Sequence, residues 1–499
     1  MYFLGLDLGS SFIKASLLDR ETQQCVAQAT VPDHEMGMIA IKPGWAEQNP
    51  DQWWEYIKTL IRKIIIKSNI NGHDIAAIGI SYQMHGLVLI DQLGRVLRPS
   101  IIWCDSRAVA IGDQAFRSLG SDYCLTHLLN SPGNFTASKL RWVIENEPEV
   151  ASQIHSFMLP GDFVNFRLTG EINTTVSALS EGMFWDFHEQ TLAAKLFNYY
   201  EIPMNWAPKI LPTFSIQGGV SPGVAQELGL KTGIPVSYRA GDQPNNAFSL
   251  NVNQPGEMAT TAGTSGVVYA VQDTAQTDPL SRVNAFAHVN HQPSSVRIGT
   301  LLCINGTGIA NSWFKKLLSQ SGMTTYEQMN ELVSSVPLGS EGLQFIPFGN
   351  GAERMLGNKS IEGHFTGLNF NIHHSGHMAR AVQEGIVYAF KYGTDILSKN
   401  GFKANTIKAG KANMFLSPVF RQLFSTLLDV PLEFFDTDGA TGAARGAGIG
   451  SGHYTPENAF DSLKKIEIIY PDHSIQSRLI DHYNTWKLRL ENIIQLLPS

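Results

Sequence analysis

The sequence predicts a mixed α/β protein built from two domains of one architecture. Three observations carry that prediction. The first thirty residues read as a meander of three short strands, and helices alternate with strands after it. A pair of apolar strands around a small-residue turn then recurs about half a chain later.

The meander comprises strands over 2–8, 12–19 and 25–31, with Gly9-Ser10-Ser11 as the first tight turn. Over 51–66, Trp54, Ile57, Leu60, Ile61, Ile64 and Ile65 recur at helical spacing, with Asp51 as the cap. Residues 75–80 read as a buried strand, and 87–90 as another across the loop Gln83-Met84-His85-Gly86. Residues 257–270 read as two strands around Ala262-Gly263-Thr264-Ser265-Gly266, the echo of the first turn. The domains are expected to be 1–247 and 248–499, because the stretch 251–256 is polar and holds Pro255. The chain closes with an amphipathic packing helix over 475–497, through Leu479, Tyr483, Trp486, Leu490, Ile493 and Leu497.

With 43% hydrophobic and 16% charged residues, the 499-residue chain can bury large cores and lacks the signature of disorder. A net charge of -7 without a basic stripe argues against nucleic acid as a partner. The four cysteines are far apart and show no ligand spacing, as for reduced thiols. Asp7 interrupts any leader core, and no apolar run approaches the roughly 18–20 residues that span a bilayer. A cytoplasmic protein with no membrane contact is expected.

Several short stretches can carry chemistry. In Asp7-Leu8-Gly9-Ser10-Ser11, a tight turn can gather amides around an anion. Ser10 and Ser11 add donors, Lys14 adds charge, and Asp7 suits a hydrated Mg²⁺. A plain hairpin reads equally from these residues alone. Gly263-Thr264-Ser265-Gly266 repeats the pattern, and phosphoryl transfer needs charge held on both sides of the moving group. Asp242 ends the strand 236–240 near the expected hinge, where a carboxylate can take the proton of an attacking hydroxyl. It can equally cap a helix starting near Pro244. His85, Trp103, Asp105 and Arg107 offer polar groups beside an aromatic face, which suits a sugar ring; a structural histidine and a local ion pair are the plainer alternatives.

In chain order these stretches are joined by Trp45-Ala46-Glu47-Gln48-Asn49-Pro50, Gly351-Ala352-Glu353-Arg354 and Asp438-Gly439-Ala440-Thr441-Gly442. Together they resemble the FGGY carbohydrate kinases over essentially the full length, and within that family the xylulokinases. The resemblance implies two actin-like (ribonuclease H-like) domains flanking a central nucleotide/sugar cleft. It implies Asp242 as catalytic base, Met84 and His85 on the sugar, and Asp7 near Mg²⁺ with Asp242 close by. Trp103, Asp105 and Gln243 join the sugar side. Gly9, Ser10, Ser11, Lys14, Gly263, Thr264, Ser265 and Gly308 fall on the phosphates of ATP. The stretch Ala409-Gly410-Lys411-Ala412-Asn413 departs from the xylulokinase pattern and is similar to the glycerol kinase one, which puts Gly410 and Asn413 on the adenine side and leaves Lys411 without a role. Gln243 stands where xylulokinases commonly have Asn, which bears on the identity of the sugar.

The implied activity is ATP-dependent phosphorylation of a primary hydroxyl of a small sugar, D-xylulose first. Ribulose, fuculose or gluconate, or a non-catalytic nucleotide-dependent sugar sensor, are the alternatives. The implied partners are the sugar and ATP, with a homodimer left open.

Overall fold

A computed structural model describes residues 1–320, 322 and 325–496. In the first half, β1 (Tyr2–Leu8), β2 (Ile13–Asp19) and β3 (Cys25–Val31) form an antiparallel meander. Two later strands, β4 (Ile75–Tyr82) and β5 (Val236–Gly241), add in parallel beyond β1, giving the order β5-β4-β1-β2-β3.

The second half repeats this plan. Strands β6 (Glu257–Ala262), β7 (Gly266–Gln272) and β9 (Ile298–Ile304) form the meander, with β8 (Asn284–Ala287) at its edge. Strands β10 (Thr406–Gly410) and β11 (Leu432–Phe435) add in parallel beyond β6, and β12 (Lys465–Ile469) closes the sheet antiparallel. The echo in the sequence is therefore a repeat of sheet topology.

Helix α1 (Pro50–Ser68) buries Trp53, Trp54, Ile57, Leu60, Ile61 and Ile64 against the first sheet. Its cap is Asn49 and not Asp51: Pro50 takes the first helical position, and the Asn49 side chain accepts from the Asp51 amide at 3.0 Å. Asp51 instead lies in the first turn, where the helix dipole favours a carboxylate.

Helix α2 (Gly439–Gly450) belongs to the second half of the chain but packs on the first sheet. A Cβ at Gly5 or Gly79 would collide with the carbonyl of Ala440 or Ala443, so glycine on β1 and β4 permits this close approach. The insertion between β4 and β5 shares an apolar cluster with the second sheet: Phe135, Phe157 and Phe184 lie with Tyr269, Val271 and Phe286. The two halves are thus joined by crossing helices and by a common core. The C-terminal helix α3 (His473–Leu496) buries Leu479, Tyr483, Trp486 and Leu490, and the Trp486 indole donates to the Phe345 carbonyl at 2.8 Å. Leu497 lies outside the described residues. No helix of the described residues is long and apolar enough to cross a membrane.

Candidate active site

Two hairpins carry the small-residue turns. The β1–β2 turn is closed by the Gly9 amide on the Phe12 carbonyl at 3.1 Å. Gln48 Nε2 holds the Ser10 carbonyl at 2.7 Å, and the Met36 amide holds that of Ser11 at 2.9 Å. Ser10 Oγ lies 3.4 Å from the indole nitrogen of Trp103, which is 53% exposed, so one of the few exposed tryptophan faces sits beside this turn. Lys14 is exposed and directly opposite Asp7 in the hairpin register.

The β6–β7 turn rests on the start of the helix Gly308–Ser319: the amides of Gly308 and Ile309 donate to the carbonyls of Gly263 and Thr264 at 2.8 and 3.0 Å. A Cβ at Gly308 would collide with the Gly263 carbonyl, so only glycine permits this stacking. Beside it opens a cavity of about 450 Å³ walled by Gly263, Thr264, Gly308, Tyr326, Gln383 and Asn413. Asn413 has a left-handed backbone (φ 54°) and its amide lies close to Gly263. Ser265 shares the turn and Gly410 ends β10, but neither walls the cavity. Lys411 turns away from it, pairing with Glu467 on β12 at 2.7 Å, which accounts for that residue.

Asp242 opens the helix Asp242–Ser249, immediately after β5. The cap position belongs to Gly241, so Asp242 does not serve as the helix cap. Burial and then the charge of Asp7 push its carboxyl up to about 7, against hydrogen bonds from Gln243. Asp7, one residue before the end of β1, has an oxygen against Gly439, where the Asn246 side-chain oxygen also lies. Its carboxyl is likewise raised by burial and by Asp438, with Ser81 and Lys14 opposing. Asp242 thus feels the charge of Asp7, and the two carboxyls are oxygen donors of the kind a hard divalent cation takes; Asp438, which acts on Asp7, is occupied as the cap of α2, accepting from the Thr441 amide at 2.7 Å.

Beside β5, Met84 is buried with Cγ packed against Gly241. His85 adopts a left-handed backbone (φ 61°), and its Nδ1 lies 3.0 Å from the Glu181 carbonyl. Burial, with the nearby charge of Lys139, lowers its pKa to about 3. The ring is therefore neutral: Nδ1–H donates to the carbonyl and Nε2 keeps a lone pair for a hydroxyl.

Asp105 departs from the expectation of a sugar contact. It is fully buried, its carboxylate is forked onto Arg107 (2.7 to 3.0 Å) and accepts the Ala46 amide at 2.6 Å. Arg107 in turn lies over the Trp45 ring at 3.7 Å. The pair is a structural brace, since buried charges need such partners and a sugar cannot reach it.

Two residues that shape the site, Lys139 and Glu181, carry no local signal. Lys139 is fully buried, with Nζ donating to the carbonyls of His85 and Ile102 at 2.8 and 2.9 Å, and burial lowers its pKa to about 7. It ties the His85 loop to the segment carrying Trp103. Glu181 lies buried beneath the His85 amide at 3.3 Å and beside Gly241, and burial raises its pKa far above the ordinary carboxylate range. Glu353 holds the loop before Gly308 by accepting the Asn305 amide at 2.9 Å, and burial raises its pKa to about 8.

The FGGY family of carbohydrate kinases matches in two stretches, its N-terminal domain over residues 2–249 and its C-terminal domain over residues 258–450. The chain is similar to the xylulose kinase of Bacillus subtilis (strain 168), at 28% identity over 480 residues covering 94% of this chain and 93% of the relative. It is similar to the xylulose kinase of Escherichia coli (strain K12) at 29% over 450 residues, 89% and 88% of the two chains. The solved xylulose kinase from Rhodospirillum rubrum superposes with a TM-score of 0.89 at 27% identity, covering 99% of both chains. The two repeated sheets are actin-like (ribonuclease H-like) halves around the cleft. With both family domains matched in order, the chain belongs to the FGGY family of carbohydrate kinases and is an ATP-dependent sugar kinase.

Proposed function

We propose that the protein phosphorylates the terminal primary hydroxyl of D-xylulose, giving D-xylulose 5-phosphate. The observation that carries this reading is Asp242, a carboxyl directly after β5 and close enough to Asp7 to feel its charge, with its pKa raised to about 7. An ordinary aspartate, near 3.9, is a weak base; one near 7 is matched to proton transfer at neutral pH. Asp242 accepts the hydroxyl proton as that oxygen bonds to the γ-phosphorus and ADP departs. His85 Nε2 accepts a second hydroxyl, Met84 and Trp103 supply apolar surface, and Gln243 limits the pocket beside the base.

The turns with Gly9, Ser10 and Ser11 on one side and Gly263, Thr264 and Ser265 on the other hold the phosphates, with Lys14 adding charge. Gly308, Gly410 and Asn413 serve the nucleoside side. The acidic oxygens at Asp7, with Asp242 nearby, fit Mg²⁺ held through water, which would neutralise phosphate charge when bound. Residues 1–247 carry the sugar and the base, and residues 248–499 the nucleotide. The reaction consumes ATP, which supports a cytoplasmic location.

The names of the relatives support xylulose, whereas Gln243 supports a reshaped pocket for another ketose or a sugar acid. A coupled ADP-release assay over xylulose, ribulose, fuculose and gluconate separates them. At least tenfold higher kcat/KM for xylulose, about 1.4 kcal/mol of discrimination, is expected. An equal or higher value for another sugar reassigns the substrate.

A further inference from the structure

Far from the hairpins, a second constellation of ligating side chains lies on the insertion. Among the described residues, His127, His188 and Glu189 form one group in which a ligand atom from each lies within 4.8 Å of the others. His127 ends the helix Ser121–His127; His188 and Glu189 lie in the turn between the strands Trp185–Asp186 and Thr191–Leu192. The Phe187 amide donates to the His127 carbonyl at 2.8 Å, so the backbone itself fastens helix to turn.

Asp186 organises the group. Its carboxylate receives His127 Nδ1 at 2.9 and 3.0 Å, and the amides of His188 and Glu189 at 3.0 and 2.9 Å. The first contact fixes the His127 tautomer with the proton on Nδ1 and the lone pair on Nε2. A carboxylate behind an imidazole in this way orients metal-binding histidines and raises their basicity. The imidazoles of His127 and His188 sit 4.9 Å apart at 39°, and His188 Nδ1 meets Glu189 Oε1 at 2.9 Å. A cation entering there would take the place of the His188–Glu189 contact. Two imidazoles and a carboxylate are donors that zinc and its neighbours in the first transition row favour over magnesium.

We propose that this corner binds a zinc-class divalent cation through His127, His188 and Glu189, with water completing the shell and Asp186 as the positioning residue. The kinase reaction uses none of these side chains. The bound ion would clip the helix to the turn, a short step along the chain from Glu181, and so brace the segment beneath His85.

The test uses tag-free, full-length protein titrated with zinc chloride by calorimetry, with Mg²⁺ in excess. Binding of a single equivalent is expected, together with a zinc-dependent rise in Tm. His188→Ala and Glu189→Gln are exposed substitutions and are expected to weaken binding at least tenfold and abolish the rise in Tm. Asp186→Asn is expected to weaken it by roughly 10–100-fold, the range for such outer partners. Retained sugar-kinase turnover shows that a variant is folded. Wild-type zinc affinity in both His188→Ala and Glu189→Gln, or no saturable binding by the unaltered chain, overturns the assignment.

Discussion

The two faces of the cleft are built from different materials. The face proposed to hold the sugar relies on ionisable side chains displaced from their ordinary pKa: Asp242 near 7, Lys139 near 7 and His85 near 3. The face proposed to hold the nucleotide relies on backbone: two amides of a helix start set against two carbonyls of a hairpin turn, with glycine where a side chain would intrude. Chemistry at the sugar requires a proton acceptor of the right strength, which only a tuned side chain supplies. Holding a nucleotide requires close approach and many weak donors, which a compact turn supplies without tuning. Substitutions on the first face should therefore alter turnover, and those on the second should alter nucleotide affinity.

The largest effect that would break this contrast concerns Asp242. Asp242→Asn keeps the shape and removes the base. Its kcat is expected to fall on the order of 10²-fold or more, with the KM for sugar within a few-fold. Near-normal turnover would strip the sugar face of its defining group. A smaller effect is expected from Gly308→Ala, which forces a methyl into the Gly263 carbonyl. Overpacking of about 1–3 kcal/mol predicts a KM for ATP raised roughly tenfold or more, with the KM for sugar little changed. Steady-state kinetics with each substrate varied in turn checks both. If Gly308→Ala lowered kcat at saturating ATP as severely as Asp242→Asn, the division would fail.

The smallest expected effect is on stability, and it has an unusual sign. Asp242 is raised in the folded protein above the unfolded value of 3.8, so between that value and about 7 the folded state binds the extra proton. Stability contributed by this group is present below the unfolded value and is lost as pH rises to 7. At pH 8 the folded protein holds an unfavourable carboxylate that Asp242→Asn removes. The variant is expected to melt a few degrees higher than the wild type at pH 8, by roughly 2–4 °C, and to lose that advantage near pH 4. Calorimetric Tm at the two pH values reads it; a lower Tm at pH 8 would show that the carboxylate stabilises its own site.

Much of the fold was legible because its signals are local. The strands over 2–8 and 25–31 follow from apolar runs between turn residues, and their hairpin from Gly9 and its serines. The helix 51–66 was legible from spacing, although its cap was misplaced because Pro50 already sits inside it. The apolar run puts Phe12 in a strand, whereas in the fold it closes the turn by accepting from Gly9. At the site, Asp242 and the two turns were legible because each is a short contiguous pattern at a strand end. Lys139 and Glu181 were not: each reaches His85 from a helix far along the chain, and nothing near either residue in sequence marks the contact.

Asp105 shows the same limit from the other direction. Its neighbours Trp103 and Arg107 suggest a sugar contact, but Ala46 and Arg107 occupy its oxygens in the core. The repeated α/β plan, the two small-residue turns and the strand-end carboxylate can be read from the chain alone, because strand period, turn chemistry and motif order are properties of adjacent residues. Only the tertiary structure decided which polar groups face the cleft, which are consumed as braces, and how far burial moves their proton affinity. Those depend on solvent access and on charges brought close by packing, and chain neighbours specify neither.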